Sequence, residues 1–299
     1  MLGKVISIRG KHIHVHIEDR VEYCTLKNAL HREKSDQKGA ITIGDSVEVN
    51  DNNQIVTIHK RKTLLQRTDP LNPRKRQVIG ANIDQVYITF AIQSPDINIA
   101  MVDRYIMAAQ KGDLTPILLI NKIDLGKGND VEELIKIYTD IGIKIIAVST
   151  YTGQGMDRLK ELLKGKTSMF AGPSGTGKTS LINHITGKEL LVGEISERIQ
   201  KGRHTTTFSS LIPLSSDTFI IDTPGIASFS VFDLSEVDIS DYFSDLCEPL
   251  GPCKFRTCTH THEPLCSVKE AFAKNLIPSI RFFSHQTIIN EIVHKESLY

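Results

Sequence analysis

The feature that most constrains this sequence is a glycine-rich segment just past its middle. It reads Gly172-Pro173-Ser174-Gly175-Thr176-Gly177-Lys178-Thr179 and follows the short apolar run 167–171. Glycines after a strand let successive backbone N–H groups point inward around a polyphosphate, because a residue without a Cβ allows close approach. The sequence therefore predicts a strand, a phosphate-binding loop and a helix that begins at Lys178.

Two side chains at the end of this loop carry chemistry. We expect Lys178 to reach the outer phosphates and the Thr179 hydroxyl to ligate Mg²⁺, with the positive end of the helix behind them. The alternative is a chance glycine-rich turn. It is disfavoured because apolar residues recur at helical spacing just afterwards, at Leu181, Ile182 and Ile185.

A second motif, Asn121-Lys122-Ile123-Asp124, directly follows the buried-strand pattern 117–120. A carboxylate at Asp124 can accept two parallel hydrogen bonds from guanine, whereas adenine lacks the matching pair of donors. We therefore predict that Asp124 selects guanine, that Lys122 lies along the base and that Asn121 ties this loop to the phosphate loop. Ser149, which closes the strand pattern 145–148, is predicted to direct backbone donors at the guanine oxygen.

A third motif, Asp222-Thr223-Pro224-Gly225, follows another short strand pattern. Asp222 is predicted to hold Mg²⁺ through water, and the Gly225 N–H is predicted to meet the γ-phosphate and release it after hydrolysis. Upstream, in a stretch poor in apolar periodicity, Thr206 is expected to coordinate Mg²⁺ in the triphosphate state. Spacing leaves Thr205 and Thr207 open for that role.

The order of these motifs is unusual. From residue 84, buried strands alternate with amphipathic helices, which predicts a doubly wound α/β sheet with its ligand at the carboxyl ends of the strands. In Ras-like GTPases the phosphate loop comes first and the guanine motif last, whereas here the guanine motif precedes Gly172. We therefore predict a circularly permuted Ras-like P-loop GTPase domain over residues 77–235.

Short alternating runs in residues 1–65 predict an N-terminal OB-type β-barrel of about five strands, one of them at 40–43. Residues 66–76 are predicted to be a basic linker. Residues 1–76 carry fifteen Lys and Arg against nine Asp and Glu, although the whole chain has a net charge of only +1. This asymmetry favours RNA as a partner. A purely structural barrel and a solvated connector are the alternatives.

Residues 236–299 are predicted to form a C-terminal helical zinc-binding domain. Three sulfurs and one imidazole recur within a short segment at the spacing Cys-x4-Cys-x-His-x5-Cys, in Cys253, Cys258, His260 and Cys266. Four such ligands suit tetrahedral, structural Zn²⁺. Disulfides are the alternative, disfavoured if the chain is cytosolic. We interpret Cys24 and Cys247 as small buried apolar residues, with Cys247 as a weaker candidate ligand.

With a barrel, a permuted GTPase domain and a Cys3His domain in this order, the whole chain resembles the RsgA (YjeQ/YloQ) family of circularly permuted GTPases that depend on the small ribosomal subunit. The resemblance implies a factor of late small-subunit maturation that binds the subunit and its rRNA, with hydrolysis of GTP to GDP promoting its own release. It also implies that 121–124 and the loop from Gly172 through Ser180 bind GTP, and that the Cys3His set binds zinc. The sequence departs from the family pattern at Thr176, where Val is common, and at Leu265, where Gly is common.

The residue that orients the attacking water is harder to identify. Ile226 occupies the position of the water-orienting glutamine of Ras-like enzymes, so intrinsic turnover is expected to be slow. His204, in the predicted switch, resembles the histidine proposed for this role in the family; a solvated loop histidine is the alternative. A GTP-gated rRNA-binding checkpoint with incidental hydrolysis is the second functional hypothesis, and an ATP-using kinase is a more distant one.

The composition, with 40% hydrophobic and 24% charged residues, is typical of a soluble globular protein. No apolar run approaches the roughly 20 residues of a membrane-spanning helix, and no signal-peptide pattern opens the chain. We expect a cytoplasmic monomer that uses no membrane.

Overall fold

The computed structural model describes residues 1–10, 12–27, 41–69, 72–126, 130–187, 210–222, 235–256 and 258–296. Five strands at the N-terminus close into a barrel in the order β1-β2-β3-β5-β4, which confirms the predicted barrel. They are β1 (Leu2–Arg9), β2 (His12–Ile17), β3 (Arg20–Leu26), β4 (Ser46–Val49) and β5 (Gln54–Ile58). Alternating side chains such as Val5, Val15 and Ile55 fill the interior, as period-two patterning requires.

The strand predicted at 40–43 is not present in residues 41–43. The chain turns there instead, because the Asp45 carboxylate accepts a 2.8 Å hydrogen bond from the Thr42 N–H. Arg61 completes this turn with a two-pronged ion pair, at 2.7 Å from Nε to Oδ1 and 2.8 Å from Nη2 to Oδ2 of the fully buried Asp45. Arg61 is one of the fifteen Lys and Arg counted in residues 1–76, but its charge is balanced by Asp45 inside the protein.

The predicted basic linker of residues 66–76 lies within a two-stranded antiparallel hairpin, β6 (Leu64–Asp69) and β7 (Asn72–Ala81). Its base is anchored by backbone bonding, since the Ala81 N–H donates to the Ile43 carbonyl at 2.8 Å. No strands were predicted in this segment.

The central domain is a six-stranded sheet in the order β10-β9-β8-β11-β13-β12, parallel except for β12. This confirms the predicted α/β domain. Its elements are β8 (Gln85–Ala91), α1 (Ile99–Lys111), β9 (Thr115–Asn121), a 3₁₀ turn (Ile123–Leu125), α2 (Asp130–Asp140), β10 (Lys144–Ala147), α3 (Met156–Leu163), β11 (Thr167–Ala171), α4 (Lys178–Thr186), β12 (Ser210–Pro213) and β13 (Phe219–Asp222).

Both faces of this sheet are covered, as buried parallel strands require. Along β8, Val86, Ile88 and Phe90 pack into the cluster that includes α1 and α2. Tyr87 points to the opposite face and stacks on Phe170 with ring centroids 5.0 Å apart, beside α3 and α4. All seven β8 residues are therefore buried, and the strand supports the loops at its carboxyl end.

The barrel packs directly on the α/β domain. Lys4 Nζ donates to Thr167 Oγ1 at 2.7 Å and lies 4.6 Å from the centre of the Phe219 ring. The His16 ring meets the same phenylalanine edge-on, 5.4 Å between centroids, and is buried. Of the three histidines on the outer face of β2, only His12 is exposed, since His14 is half-buried.

The C-terminal region contains α5 (Glu236–Tyr242), a 3₁₀ turn (Ser244–Cys247), α6 (Ser267–Ala273) and α7 (Ser279–Glu296). Ser235 and Asp238 cap α5 by bonding to each other's backbone N–H. A small core forms around Ile239, Phe243 and Ile288. No helix in the described residues is long and apolar enough to span a membrane.

A buried polar node joins this region to the α/β domain. Asp103, on α1, has no exposed surface; its Oδ1 accepts hydrogen bonds from Tyr138 at 3.0 Å, Tyr242 at 2.7 Å and Arg281 at 3.1 Å. Its Oδ2 accepts from Ser284 at 2.5 Å. Arg281 is equally buried, and both rings of residues 242 and 243 lie within 4.7 Å of its guanidinium carbon. Because these donors come from α2, α5 and α7, the node fixes how the C-terminal helices sit on the sheet domain.

Candidate nucleotide and metal sites

The phosphate loop leaves β11 where only glycine fits. Gly172 has φ +134°, and a Cβ there would lie 2.1 Å from the Thr89 carbonyl oxygen on β8. Gly177 has φ +89°, and its Cβ would meet Asn121 Nδ2 at 2.3 Å. The loop therefore runs tight against two neighbouring strand ends. As predicted, α4 begins at Lys178 immediately afterwards.

Lys178 lies within this loop rather than in solvent. Its Nζ donates to the carbonyl oxygens of Gly172 at 2.7 Å and Pro173 at 2.5 Å. Burial lowers the pKa of the Lys178 ammonium to about 8. The ammonium is thus held at the mouth of α4, where the helix end also carries partial positive charge. Along the same loop, Thr176 is buried, Thr179 is half-buried, and Ser174 and Ser180 are exposed.

The guanine motif is tied to the phosphate loop as predicted. Asn121 Nδ2 donates to the Thr176 carbonyl oxygen at 3.0 Å, linking the ends of β9 and β11. Its Oδ1 is buried and has no hydrogen-bond donor among the described residues. Lys122, in a left-handed backbone conformation, donates through Nζ to Gly175 O at 2.9 Å and to Ser94 O. Two adjacent side chains therefore hold the loops together.

Asp124 and Ser149 are brought together by a contact that the sequence analysis missed. Ser149 Oγ donates to Asp124 Oδ1 at 2.5 Å, while the Ser149 N–H is taken by the Gln154 carbonyl oxygen at 3.0 Å. Asp124 itself is exposed and Ile123 half-buried in the 3₁₀ turn. Ser149 therefore orients the carboxylate through its hydroxyl. The prediction that this segment supplies backbone donors to the guanine oxygen stays a prediction.

The loop after β8 is a second feature that sequence reasoning missed. The Ser94 carbonyl accepts from Lys122, and a Cβ on Gly175 would lie 3.5 Å from Pro95. This loop thus packs beside the phosphate loop. This proximity could have been predicted from the parallel sheet. β8 lies between β9 and β11, so the loop at its carboxyl end lies at the same edge of the sheet as theirs.

The predicted switch residues His204, Thr206 and Gly225 lie outside the described residues. Asp222 is described by its backbone, at the end of β13. Because β13 pairs in parallel with β11, through Met169 opposite Ile221, Asp222 ends its strand at the sheet edge that carries the phosphate loop. The proposed Mg²⁺ ligands Thr179, Thr206 and Asp222 remain predictions.

The predicted metal ligands converge. The ligand atoms of Cys253, Cys258, His260 and Cys266 all lie within 4.8 Å of one another. His260 Nδ1 is 3.4 Å from two of the sulfurs, and Cys253 Sγ is 3.8 Å from Cys266 Sγ. Metal–ligand lengths of about 2.3 Å for sulfur and 2.0–2.1 Å for nitrogen give tetrahedral edges of roughly 3.8 and 3.6 Å. The cluster therefore fits a four-coordinate zinc ion.

The loop that carries these ligands is held by Glu263. Its carboxylate accepts from the Thr259 N–H at 2.7 Å, the Thr259 hydroxyl at 2.7 Å and the Thr261 N–H at 3.1 Å. Burial alone would raise the pKa of Glu263, but these hydrogen bonds outweigh it and lower the pKa to about 2. Leu265 adopts φ +57°, a left-handed conformation that a glycine takes without strain.

The two remaining cysteines differ. Cys24 is buried inside the barrel, as expected of a small apolar residue. Cys247 is half-buried at the end of the second 3₁₀ turn, and its Sγ lies 3.9 Å from His260 Nε2. It stands outside the four-ligand cluster.

Comparison with known proteins agrees with this architecture. The profile of the family described as RsgA GTPase matches residues 58–232. The chain is 41% identical over 228 residues to "Small ribosomal subunit biogenesis GTPase RsgA" of Caldanaerobacter subterraneus subsp. tengcongensis, covering 75% of this chain and 77% of that protein. It is 33% identical over 295 residues to the protein of the same name from Alkaliphilus metalliredigens, covering 97% of each.

Two solved structures are similar over nearly the whole chain. YjeQ from Thermotoga maritima is 30% identical, with a TM-score of 0.74 and 98% of each chain covered. YloQ, described as a circularly permuted GTPase, is 26% identical, with a TM-score of 0.70 and coverage of 98% of this chain and 95% of that one. The similarity extends across the barrel, the sheet domain and the metal cluster.

Proposed function

We propose that this chain, which belongs to the RsgA GTPase family, acts in late maturation of the small ribosomal subunit by binding it and hydrolysing GTP to GDP and phosphate to promote its own release. Members of this family are GTPases, so the chain is a GTP hydrolase. Relatives that are 32–33% identical over alignments covering 97% of this chain carry the name of a small ribosomal subunit biogenesis GTPase, which supports the subunit as partner.

The observation that carries this proposal is the 3.0 Å hydrogen bond from Asn121 Nδ2 to the Thr176 carbonyl oxygen. It joins a base-recognition motif and a phosphate loop that are separated by 55 positions and occur in reversed order along the chain. A nucleotide can contact both only if the ends of β9 and β11 meet. This geometry supports one guanine-nucleotide pocket assembled from a permuted sequence.

Within that pocket, Asp124 recognises the guanine edge, and its orientation is maintained by the Ser149 hydroxyl. The backbone N–H groups from Gly172 to Ser180 and the Lys178 ammonium bind the phosphates. Thr179 and Thr206 would hold Mg²⁺, Asp222 would hold it through water, and the Gly225 N–H would sense the γ-phosphate. His204 orients the attacking water. Hydrolysis removes the γ-phosphate contacts and thereby releases the switch.

The Cys3His cluster is proposed to bind one structural Zn²⁺. The four protein ligands would fill all four positions of a tetrahedral ion, so the ion would serve the fold rather than the reaction. Its binding free energy would stabilise a region whose own core is small, built around a few residues of α5, α6 and α7.

The N-terminal barrel and hairpin are proposed to contact rRNA. Residues 1–76 carry fifteen Lys and Arg against nine Asp and Glu, whereas the rest of the chain carries 21 against 26. Lys and Arg that neutralise phosphates make binding fall steeply as salt rises. Arg61 is not part of this surface because its guanidinium is paired with the buried Asp45.

The decisive experiment measures GTP hydrolysis with and without purified small ribosomal subunits across a salt series. We expect slow intrinsic turnover, stimulation by subunits, and loss of stimulation as salt weakens docking. His204→Ala should abolish the stimulated rate while leaving GDP affinity unchanged, and His184→Ala, an exposed histidine in the last turn of α4, serves as a control for loss of an imidazole outside the barrel. Equal rates with and without subunits would refute the proposed partner.

Guanine specificity has its own test. Asp124→Asn removes the two-acceptor edge that guanine requires, so the preference for GTP over ATP should disappear in competition binding. An unaltered preference would rule out Asp124 as the base-selecting residue.

A second candidate is a GTP-gated checkpoint in which hydrolysis is incidental. It is favoured by Ile226, whose side chain cannot hydrogen-bond to water at the position where Ras-like enzymes use glutamine. The two candidate functions predict different rates of release from the subunit when GTP cannot be hydrolysed. A non-hydrolysable GTP analogue should trap the protein on the subunit if hydrolysis drives release, whereas equal dissociation with GTP and the analogue supports the checkpoint.

A further inference from the structure

We propose that Cys247 is the hydrogen-bond acceptor for the Nε2–H of His260 in the zinc-bound protein, and that it positions the imidazole so that Nδ1 binds the metal. This inference rests on the proposed zinc site but assigns a role to a fourth nearby cysteine that the ligand set does not use. Cys247 is thus a positioning residue, not a ligand.

Cysteine sulfurs contact both ring nitrogens of His260. Its Nδ1 lies 3.4 Å from Cys253 Sγ and 3.4 Å from Cys266 Sγ, so this nitrogen faces the ligand cluster. Its Nε2 faces away, 3.9 Å from Cys247 Sγ, within reach of a hydrogen bond to sulfur. A histidine that binds a metal through one nitrogen carries its proton on the other, and that N–H normally has a hydrogen-bond acceptor.

The surroundings of His260 fix its backbone more firmly than its ring. Its carbonyl oxygen accepts from Gln286 Nε2 at 2.9 Å, and its backbone is left-handed at φ +61°. The His285 ring lies beside the His260 ring, with 5.4 Å between centroids and a 52° angle between the ring planes. This is a packing contact, not a hydrogen bond to Nε2. Among the described residues, Cys247 is the polar group that the structure brings to Nε2. Ring orientation therefore depends on this contact.

Cys247 is placed for this role by its own element. It ends the 3₁₀ turn Ser244–Cys247, whose Leu246 is buried in the C-terminal core, and its sulfur packs partly against that core. The four ligand atoms within 4.8 Å of one another do not include its sulfur. A three-sulfur, one-nitrogen inner shell with a fourth sulfur behind the imidazole follows from this placement.

The test compares zinc affinity of the full chain with those of Cys247→Ala, Cys247→Ser and Cys24→Ala by competition with a chelator of known affinity. Loss of an outer-shell partner typically weakens metal binding about 10- to 100-fold, and this is the drop expected for Cys247→Ala. Cys247→Ser keeps an acceptor, but its shorter side chain sets the oxygen farther from Nε2 than the 3.9 Å of the sulfur, so it should recover only part of the affinity. Cys24→Ala removes a cysteine from the barrel core and should leave it unchanged.

Cobalt substitution separates a positioning role from ligation. The thiolate-to-cobalt charge-transfer intensity should correspond to three sulfurs in the unmodified protein and in both Cys247 variants. An intensity that falls from four sulfurs to three in Cys247→Ala would identify Cys247 as a ligand and overturn the inference. Equal zinc affinity of Cys247→Ala and the unmodified chain would also overturn it. If the unmodified chain binds neither metal, the zinc site itself fails and the inference fails with it.

Discussion

Replacing Asp103 with alanine should loosen the C-terminal helices from the sheet domain by about 3–5 kcal/mol, the cost of leaving a buried charge without its partner. Asp103 and Arg281 are at most 1% exposed in their side chains, and their ion pair spans 3.1 Å. The substitution also removes the acceptor for Tyr138, Tyr242 and Ser284. Arg281 would keep its 2.7 Å bond to the partly exposed Asp245 and a 3.3 Å bond to the Tyr242 carbonyl oxygen, but it would lose its buried carboxylate partner.

Asp103→Asn refines the magnitude. An amide keeps one oxygen for the hydroxyl and guanidinium donors but loses the charge, so the expected cost is about 1–3 kcal/mol, the range for a hydrogen bond to a charged group. Electrostatics therefore predicts that this contact becomes more stable in the order Asp103→Ala, Asp103→Asn, unmodified chain. A cavity effect alone would destabilise Asp103→Ala and leave Asp103→Asn as stable as the unmodified chain.

Hydrogen–deuterium exchange of the α7 amides, followed by mass spectrometry, measures this opening free energy locally. Because every 1.4 kcal/mol is a factor of ten, Asp103→Ala should speed exchange by roughly two to three orders of magnitude or more, and Asp103→Asn by about ten- to a hundredfold. Lys136→Ala is the control, since its ion pair with Asp140 is well exposed on both sides and contributes below about 1 kcal/mol. If Asp103→Ala exchanged no faster than the control, the node would carry no coupling.

Three further results are expected. Gly172→Ala places a Cβ 2.1 Å from the Thr89 carbonyl and should weaken nucleotide binding about a hundredfold in calorimetry, whereas Gly142→Ala, also at positive φ but with open space around it, should not. The Lys178 pKa is lowered from 10.5 to about 8, so the unfolded chain binds more protons between those values. Stability without nucleotide should therefore rise with pH across that window, while nucleotide affinity falls about tenfold from pH 7 to 9; Lys178→Arg should show neither trend. Chelation of zinc should lower the thermal midpoint and speed exchange in α6 before the sheet domain responds.

Much of the fold and of the site was predictable because it is encoded locally. Alternating apolar residues specified the barrel strands, and helical spacing after Gly177 specified α4. The phosphate loop, the Asn121 to Asp124 motif and the Cys3His spacing each lie within a few turns of chain. A short segment must already contain the residue types that its chemistry needs, so these features can be recognised without tertiary information.

Long-range contacts were decided only by the tertiary structure. The pairing of Asp45 with Arg61, the Ser149 hydroxyl on Asp124, and the approach of Cys247 to His260 all join residues whose proximity no periodicity records. The hairpin that contains the predicted linker segment, and the Asp103 node beneath the C-terminal helices, belong to the same class. The sequence pattern indicates which face of a helix or strand is apolar. The hydrogen-bond partner of a buried polar group depends instead on which other polar group the folded chain brings next to it.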